Sequence, residues 1–370
     1  MHVSFQKLFY TIATVFLLFA ILVFAKPILI PLSIALLISF ILLPLAKMLE
    51  KWKIGKALAA FLSIFAVILI IGGVTYFFST QIINVVQEFT DFQDKIILAF
   101  TNVTLFINEH VSFMQNLEKD ELFNRMKVWL SDSTGALVGK TVSNTATFLA
   151  GLLATIVFTF LFLLYRDGLT RAFLAFSPGN KRERVLEMFK SVQQVGQKYL
   201  FGMVILTVII GLANSLGLVM IGIDNPFLFG FLGAALAIIP YIGTTMGAVI
   251  PLIYAFVSYD SVWMAVAIAI LFWIVQLVSD NFLTPRIVGG GLKINALTAI
   301  LSLFVGAAVW GLVGMIMFLP FAAMLKVVCQ EFDELKPIAL IIGEQNKKMG
   351  DGHELFIVRW WRNMKARYPG

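Results

Sequence analysis

The chain has 370 residues, 60% of them hydrophobic and 13% charged, and its mean hydropathy is +0.92. A soluble globular domain carries about 25% charged residues, so that class is excluded and the composition points to an all-α, polytopic helical membrane protein. The net charge of +7 reads as topology, because Lys and Arg collect on the cytoplasmic side of membrane proteins. It does not read as a nucleic-acid signal, and a single cysteine, Cys329, excludes an intrachain disulfide.

In chain order, Leu8–Ala25 is the first apolar run of spanning length. Lys26, Pro27 and a second apolar run follow it where a signal peptide would carry a cleavage site, so it is expected to stay as a helix. Ile28–Ala46 is the second expected span. Lys47–Lys56 holds four lysines against one glutamate and is the clearest cytoplasmic loop of this half. Ala57–Phe78 is the third span, completing a first segment, residues 1–78. Residues 79–143 are acidic in balance. Ile82, Val85, Val86, Phe89, Phe92, Ile96 and Phe100 recur at spacings of three and four, which predicts an amphipathic helical region outside the membrane. It serves either as a cap or subunit contact, or as a helical hairpin covering its own apolar stripe.

A third segment, residues 144–330, is expected to hold spans four to eight. Asn144–Tyr165 is the fourth. Arg166–Lys198 carries seven bases against three acids and belongs on the cytoplasmic side, with a helix around Arg182–Lys198 on the membrane surface. Phe201–Ile221 is the fifth span, with Asn214 and Ser215 near its middle and Gly211 and Gly217 flanking them. Packing and solute contact are both open for Asn214. Pro226–Val257 is longer than one crossing needs and is interrupted at Pro240, Tyr241 and Gly243 and again at Pro251. It is either one kinked helix or two half-helices meeting near Pro240. Val262–Val278 and Ala296–Leu325 are the last spans. Crossing once at 226–257 makes eight in all, with both termini cytoplasmic. Residues 331–370 form a polar tail ending in a basic, aromatic stretch, Arg359–Arg367, suited to the membrane interface.

From Tyr199 to Leu325 there are only five charged residues, Asp224, Asp260, Asp280, Arg286 and Lys293, and three of them fall between Ser279 and Asn295. That stretch also holds Pro285 and Gly289–Gly291. An intramembrane charge costs roughly 2.5–3.5 kcal/mol, so the stretch either pairs its charges around a cavity or lies at the surface as a loop. We expect Asp280 and Arg286 to be held inside protein on either side of a break at Pro285. Catalytic motifs are absent: His353-Glu354 lacks the second histidine of a zinc site, position 357 being Val, and there is no nucleophile elbow or phosphate-binding lysine loop. No enzyme, metal or cofactor is expected. A membrane protein with broken helices and no energy-coupling motif reads as a secondary transporter or a channel.

Pro240, Tyr241 and Gly243, then Asp280, Asn281, Pro285 and Gly289, then the Gly306/Gly311/Gly314 span ending in Pro320, resemble the autoinducer-2 exporter family, also called the PerM-like permeases. The similarity covers about Phe9 to Val328. It implies a bacterial inner-membrane protein of about eight spans, assembled as a homopentamer, with a mobile transport unit sliding against a scaffold. It also implies export of autoinducer-2, with cation/proton antiport in other members.

Two functions follow, with a third in reserve. The first is secondary export of a small polar metabolite, autoinducer-2 or a related solute. Neutral groups of Asn214, Thr244, Thr245, Gln276, Asn281 and Asn295 would bond its hydroxyls, and Arg286 would meet partial negative charge. The second is sodium/proton antiport with Asp280 taking ion and proton in turn. The third is a membrane scaffold that binds a partner through its outer helical region. The expected partners are the lipid bilayer, a small polar solute or cation, and further copies of the chain.

Overall fold

The computed structural model describes residues 5–110, 119–176, 182–239, 242–259, 262–288 and 292–344. Among these, regular structure is helical apart from one isolated antiparallel bridge, Ile294 to Gly343. The helices are α1 (Phe5–Phe24), α2 (Lys26–Lys51), α3 (Lys56–His110), α4 (Lys119–Ala175), α5 (Arg182–Ile221) and α6 (Pro226–Leu236). They continue as α7 (Ile242–Ser258), α8 (Val262–Val278), α9 (Thr284–Ile287), α10 (Ala296–Glu331) and α11 (Lys336–Ile342). Among the described residues, six stretches are long and apolar enough to cross a membrane: α2, Lys56–Ile83 of α3, Thr147–Ala175 of α4, α5, Val262–Ile287 and α10. Ile12–Phe24, Pro226–Leu236 and Thr245–Phe256 are shorter apolar helices. The chain is a polytopic helical membrane protein, and it departs from the expected eight single crossings in three places.

The first is the amino terminus. No loop separates α1 from α2: Ala25 N–H donates to Ile21 O, and Ala25 O accepts from Leu29 N–H. The two meet as a bend. An antiparallel pair needs a connecting turn, so α1 does not form a separate crossing folded back on α2.

The second is Pro226–Val257, which forms two helices. A side chain at Gly243 would collide with the Leu236 carbonyl, and a Cβ at Gly247 would lie 2.8 Å from Gly233 O. Tyr259, just past α7, donates through its hydroxyl to Asp224 Oδ2 at 2.6 Å and accepts from Asp224 N–H at 2.8 Å, beside the start of α6. The chain therefore enters at Asp224, leaves α6 in a turn at 237–239 and returns to Asp224. At 11 residues α6 is about 16 Å long, too short to cross a hydrocarbon core of about 30 Å.

The third is α10. Gly311 has φ 62° and ψ −139°, a conformation open to glycine. On either side of it, Gly306 and Gly314 lie backbone against backbone, with no room for a side chain on either. On a straight helix those two residues would be about 12 Å apart. The helix doubles back at Gly311, giving a second hairpin with arms 296–310 and 312–331. Trp310, at its tip, donates Nε1–H to Leu22 O at 2.9 Å.

Ionic contacts define one end of the bundle. Arg166 of α4 bonds both oxygens of Glu50 of α2, at 2.7 and 2.5 Å, and Lys56 pairs with Asp167. Arg184 pairs with Glu331 at 2.8 Å, and Lys326 Nζ donates to Lys293 O at 2.6 Å. This basic end gathers the lysine-rich turn after α2, the end of α4, the start of α5 and both open ends of the α10 hairpin. The α6–α7 hairpin opens at the other, far end, where Gln81 Oε1 of α3 accepts from Leu228 N–H at 3.1 Å. Beyond that level α3 does not stop. It runs for 55 residues, about 80 Å, so the expected outer region begins as a continuation of the third span. The apolar stripe Val86–Phe100 lies outside the described side chains.

Helices α2, α3 and α4 share a core of Leu42, Leu43, Ala46, Ala60, Ile64 and Leu163. The second unit is built on α5, which packs on α6 and α8 through glycines: Gly211 against the Phe231 ring, Gly217 against Leu271 and Gly230 against Ser215. The polar tail expected from Glu331 is partly folded. Asn295 N–H donates to Ile342 O at 3.0 Å, and Asn295 Nδ2 to Ile341 O at 2.6 Å, docking α11 beside the start of α10.

Candidate functional site

The stretch after α8 continues as helix. Ser279–Leu283 forms one π-turn, closed by Thr284 N–H donating to Ser279 O, and α9 follows directly. The expected break at Pro285 is absent. Proline has no N–H and clashes with the carbonyl four residues back. Widening the preceding turn from four to five residues removes the need for that bond, and Pro285 then sits in the first turn of α9. Asp280 and Arg286, expected inside protein, are exposed on the single chain, and no ion pair joins them. Asp280 Oδ1 accepts instead from Gln276 Nε2 at 2.7 Å, one turn back. Asn281 Nδ2 donates to Leu277 O at 2.8 Å, and the Ser279 and Thr284 hydroxyls face each other at 3.4 Å.

Arg286 meets a different partner element. With Ile287 it lines an open cleft of about 450 Å³ against Gln197, Lys198, Phe201, Gly202 and Ile205 of α5. A Cβ at Gly202 would lie 2.9 Å from Ile287 O, so this glycine lets α5 approach the end of α9. Tyr199 and Val288 are buried in the core next to the cleft, with Leu206, Ile210 and Ala234. The cleft thus presents two cations, Lys198 and Arg286, and one amide, Gln197, at the basic end.

The other sequence candidates separate. Asn214 is 2% exposed within α5, and its Oδ1 has no hydrogen-bond partner among the described residues. Gly243 is buried at the start of α7, and Thr244 follows it in the same helix. Pro240, Tyr241 and Gly289 lie outside the described residues. Asn295 is committed to architecture: Oδ1 caps α10 by accepting from Thr298 N–H at 2.8 Å, while Nδ2 holds Ile341 O. Lys198 was legible only as one base among seven. Nothing local in the sequence pairs it with Arg286, and only the approach at Gly202 does so.

The buried polar side chains among the described residues are Ser39, Ser63, Thr155, Thr159, Asn214, Ser215, Ser279 and Ser302, all neutral. No group of His, Cys, Asp or Glu that could hold a metal ion occurs among them.

Residues 12–334 match the family described as AI-2E family transporter. The chain is 26% identical over 316 residues to "Putative transport protein YrrI" of Bacillus subtilis, covering 83% of this chain and 87% of that protein. It is 26% identical over 327 residues to "Putative transport protein YueF" of the same organism, covering 82% and 84%. It is 22% identical over 330 residues to AI-2 transport protein TqsA of Escherichia coli, covering 88% and 92%. A match over nearly the whole length, on a polytopic helical membrane protein, identifies the chain as a member of the AI-2E transporter family.

Proposed function

We propose that the chain is a secondary exporter of a small polar metabolite, autoinducer-2 or a related solute, in the bacterial inner membrane. Family membership supports transport. The observation that supports a polar solute is the neutral character of every buried polar side chain among the described residues. Among them, Asn214 Oδ1 has no hydrogen-bond partner among the described residues and can accept from a hydroxyl without fixing a charge in the membrane. Lys198 and Arg286 at the open cleft suit partial negative charge on the solute, and Asp280 and Asn281 lie on the π-turn that leads to it, with Gln276 in the last turn of α8. π-Turns inside helices recur at functional sites.

Sodium/proton antiport through Asp280 is less well supported, because a coupling carboxylate belongs in the protein interior and Asp280 is exposed and bonded to Gln276. We place the basic end, with the start of α5 and the open ends of the α10 hairpin, in the cytoplasm, following the positive-inside bias. The assembly is a homopentamer in this reading. The experiment is flux of autoinducer-2 and a panel of polar solutes into everted membrane vesicles, with and without proton and sodium gradients. Saturable accumulation of a polyol-like solute is expected, lost in Arg286→Ala. Sodium-driven proton movement without solute flux, abolished by Asp280→Asn, would instead establish antiport.

A further inference from the structure

Away from the cleft, a cavity of about 480 Å³ opens between α2, α4 and α5 at the basic end. It lies on the seam between the α2–α4 unit and the unit built on α5. Its walls are mainly apolar, among them Leu36, Phe40, Leu163, Phe173 and Phe189, and its charged and amide side chains are Arg166, Lys190 and Gln193. Two of its three hydroxyls are already used: Ser39 donates to Leu36 O at 2.6 Å and Thr170 to Arg166 O at 2.9 Å, leaving that of Ser33. Three stronger polar groups remain. Arg166 gives its NH2 group to Glu50, but its Nε is buried without a hydrogen-bond partner, the nearest carboxylate oxygen, Asp167 Oδ1, being 3.8 Å away. Lys190 and Gln193 make no hydrogen bond or ion pair among the described residues.

A mainly apolar slot lined also by a guanidinium and a free ammonium matches one ligand chemistry, an acyl chain carrying a phosphate headgroup. We propose that this cavity binds an anionic glycerophospholipid from the leaflet at the basic end. Its chain lies along Leu36, Phe40 and Phe189, and its phosphate meets the exposed Lys190 in the field of Arg166. Basic pockets between membrane helices bind such headgroups for the same electrostatic reason. The occupant is a lipid rather than the transported solute because the lining is apolar for most of its depth, whereas a small polar solute would leave its hydroxyls unbonded there. A lipid in this place would wedge the seam between the two units. The inference stands on this cavity alone and holds whichever solute the protein carries.

The test uses the purified full chain, stripped of lipid in detergent and titrated with phosphatidylglycerol, phosphatidylcholine or inorganic phosphate, with bound molecules counted by native mass spectrometry. One phosphatidylglycerol per protomer is expected, held about fivefold more tightly than phosphatidylcholine, the factor one basic residue supplies at a membrane surface. Lys190→Gln should remove that preference without introducing a new charge. Leu36→Trp, which fills the apolar part, should lower retention of both lipids. Equal binding of the two lipids by the parent protein would overturn the proposal, as would a preference unchanged in Lys190→Gln. Displacement of phosphatidylglycerol by inorganic phosphate would overturn it too, because the chain would then contribute nothing. Melting temperatures of the variants, compared with the parent, separate lost binding from lost folding.

Discussion

The doubling back of α10 is best tested by substitutions whose effect has opposite sign on a straight helix. If 296–325 were one continuous span, Gly306, Gly311 and Gly314 would be helix-interior glycines. Replacing each by alanine would then stabilise the protein by about 0.8–1.0 kcal/mol through helix propensity. In the folded chain, a Cβ at Gly314 meets the Gly306 carbonyl and one at Gly306 meets the Gly314 carbonyl, with Met315 N at 3.0 Å. The obstacles are backbone on both sides and cannot rotate away. Overpacking of this kind costs about 1–3 kcal/mol, and two apposed backbones belong at the upper end, so each substitution should destabilise by about 2 kcal/mol net of propensity. Gly311→Ala isolates the other component. Nothing lies within 4 Å of its Cβ position, so only the backbone strain at φ 62° remains, worth about 1–3 kcal/mol. Gly73→Ala in α3, also in open space but in an ordinary helix, is the control and should be neutral or stabilising. The assay is the half-life of purified protein in mild detergent at one fixed elevated temperature, since membrane proteins of this size unfold irreversibly. Variants at 306, 311 and 314 should inactivate faster than the parent, and the control should not. If all four outlast the parent, α10 is straight and the hairpin is wrong.

Other outcomes follow from the same structure. Glu50→Gln strands Arg166, whose side chain is only 16% exposed; a loss of about 2 kcal/mol is expected, and combining it with Arg166→Met should recover much of it, read as melting temperature. Asn295→Ala removes both the cap of α10 and the hold on α11, so it should cost about 0.5–2 kcal/mol and speed proteolysis after Glu331; unchanged cleavage would remove the clasp from the account. Arg286→Ala and Asp280→Asn change exposed side chains and should leave stability within about 0.5 kcal/mol of the parent, while Arg286→Ala abolishes solute flux; normal flux would take the cleft out of the mechanism. In a Cys329→Ser background, a cysteine at Gln115 should label with an impermeant thiol reagent on intact cells and one at Asn180 should not, and the reverse pattern would invert the proposed orientation.

Much of the architecture was legible because the signals were compositional. Apolar runs of spanning length marked α2, α3, α4, α5 and α8, and the lysines and arginines that gather at the basic end stood out as two clusters in the chain. The breaks were legible as residue types but not as geometry. Pro285 was read as a break, whereas the backbone absorbs it in one π-turn upstream, a rearrangement that no residue identity dictates. The pair Gly306 and Gly314 was visible, yet glycines at small spacing also mark ordinary close-packed helices. What distinguishes the hairpin is their symmetry about a third glycine at positive φ. Of the site candidates, Asn295 shows the limit most plainly. It was chosen as a neutral polar residue beside a broken helix, and its amide is used by a segment almost fifty residues away, Ile341 to Gly343, through contacts no local pattern encodes.

The two units are not held together in the same way that each is held internally. Within the α5 unit the contacts are backbone to backbone or glycine to ring: Gly233 with Gly247, Gly306 with Gly314, Gly211 with Phe231. Such surfaces interlock at fixed register, and sliding by one residue would drive a side chain into a carbonyl. Across the seam, Gly196 of α5 faces the ring of Phe40 of α2, a side chain rather than a carbonyl. The 480 Å³ cavity lies along the same boundary, where atoms that would resist motion are missing. The α10 hairpin packs on α2 through Leu37, Val309, Trp310, Met317 and Met324, so this boundary carries an apolar core as well as the cavity. The cleft at Lys198 and Arg286 is formed by α5 and α9 alone. A solute held there would therefore keep its contacts whatever the register of α5 against α2–α4.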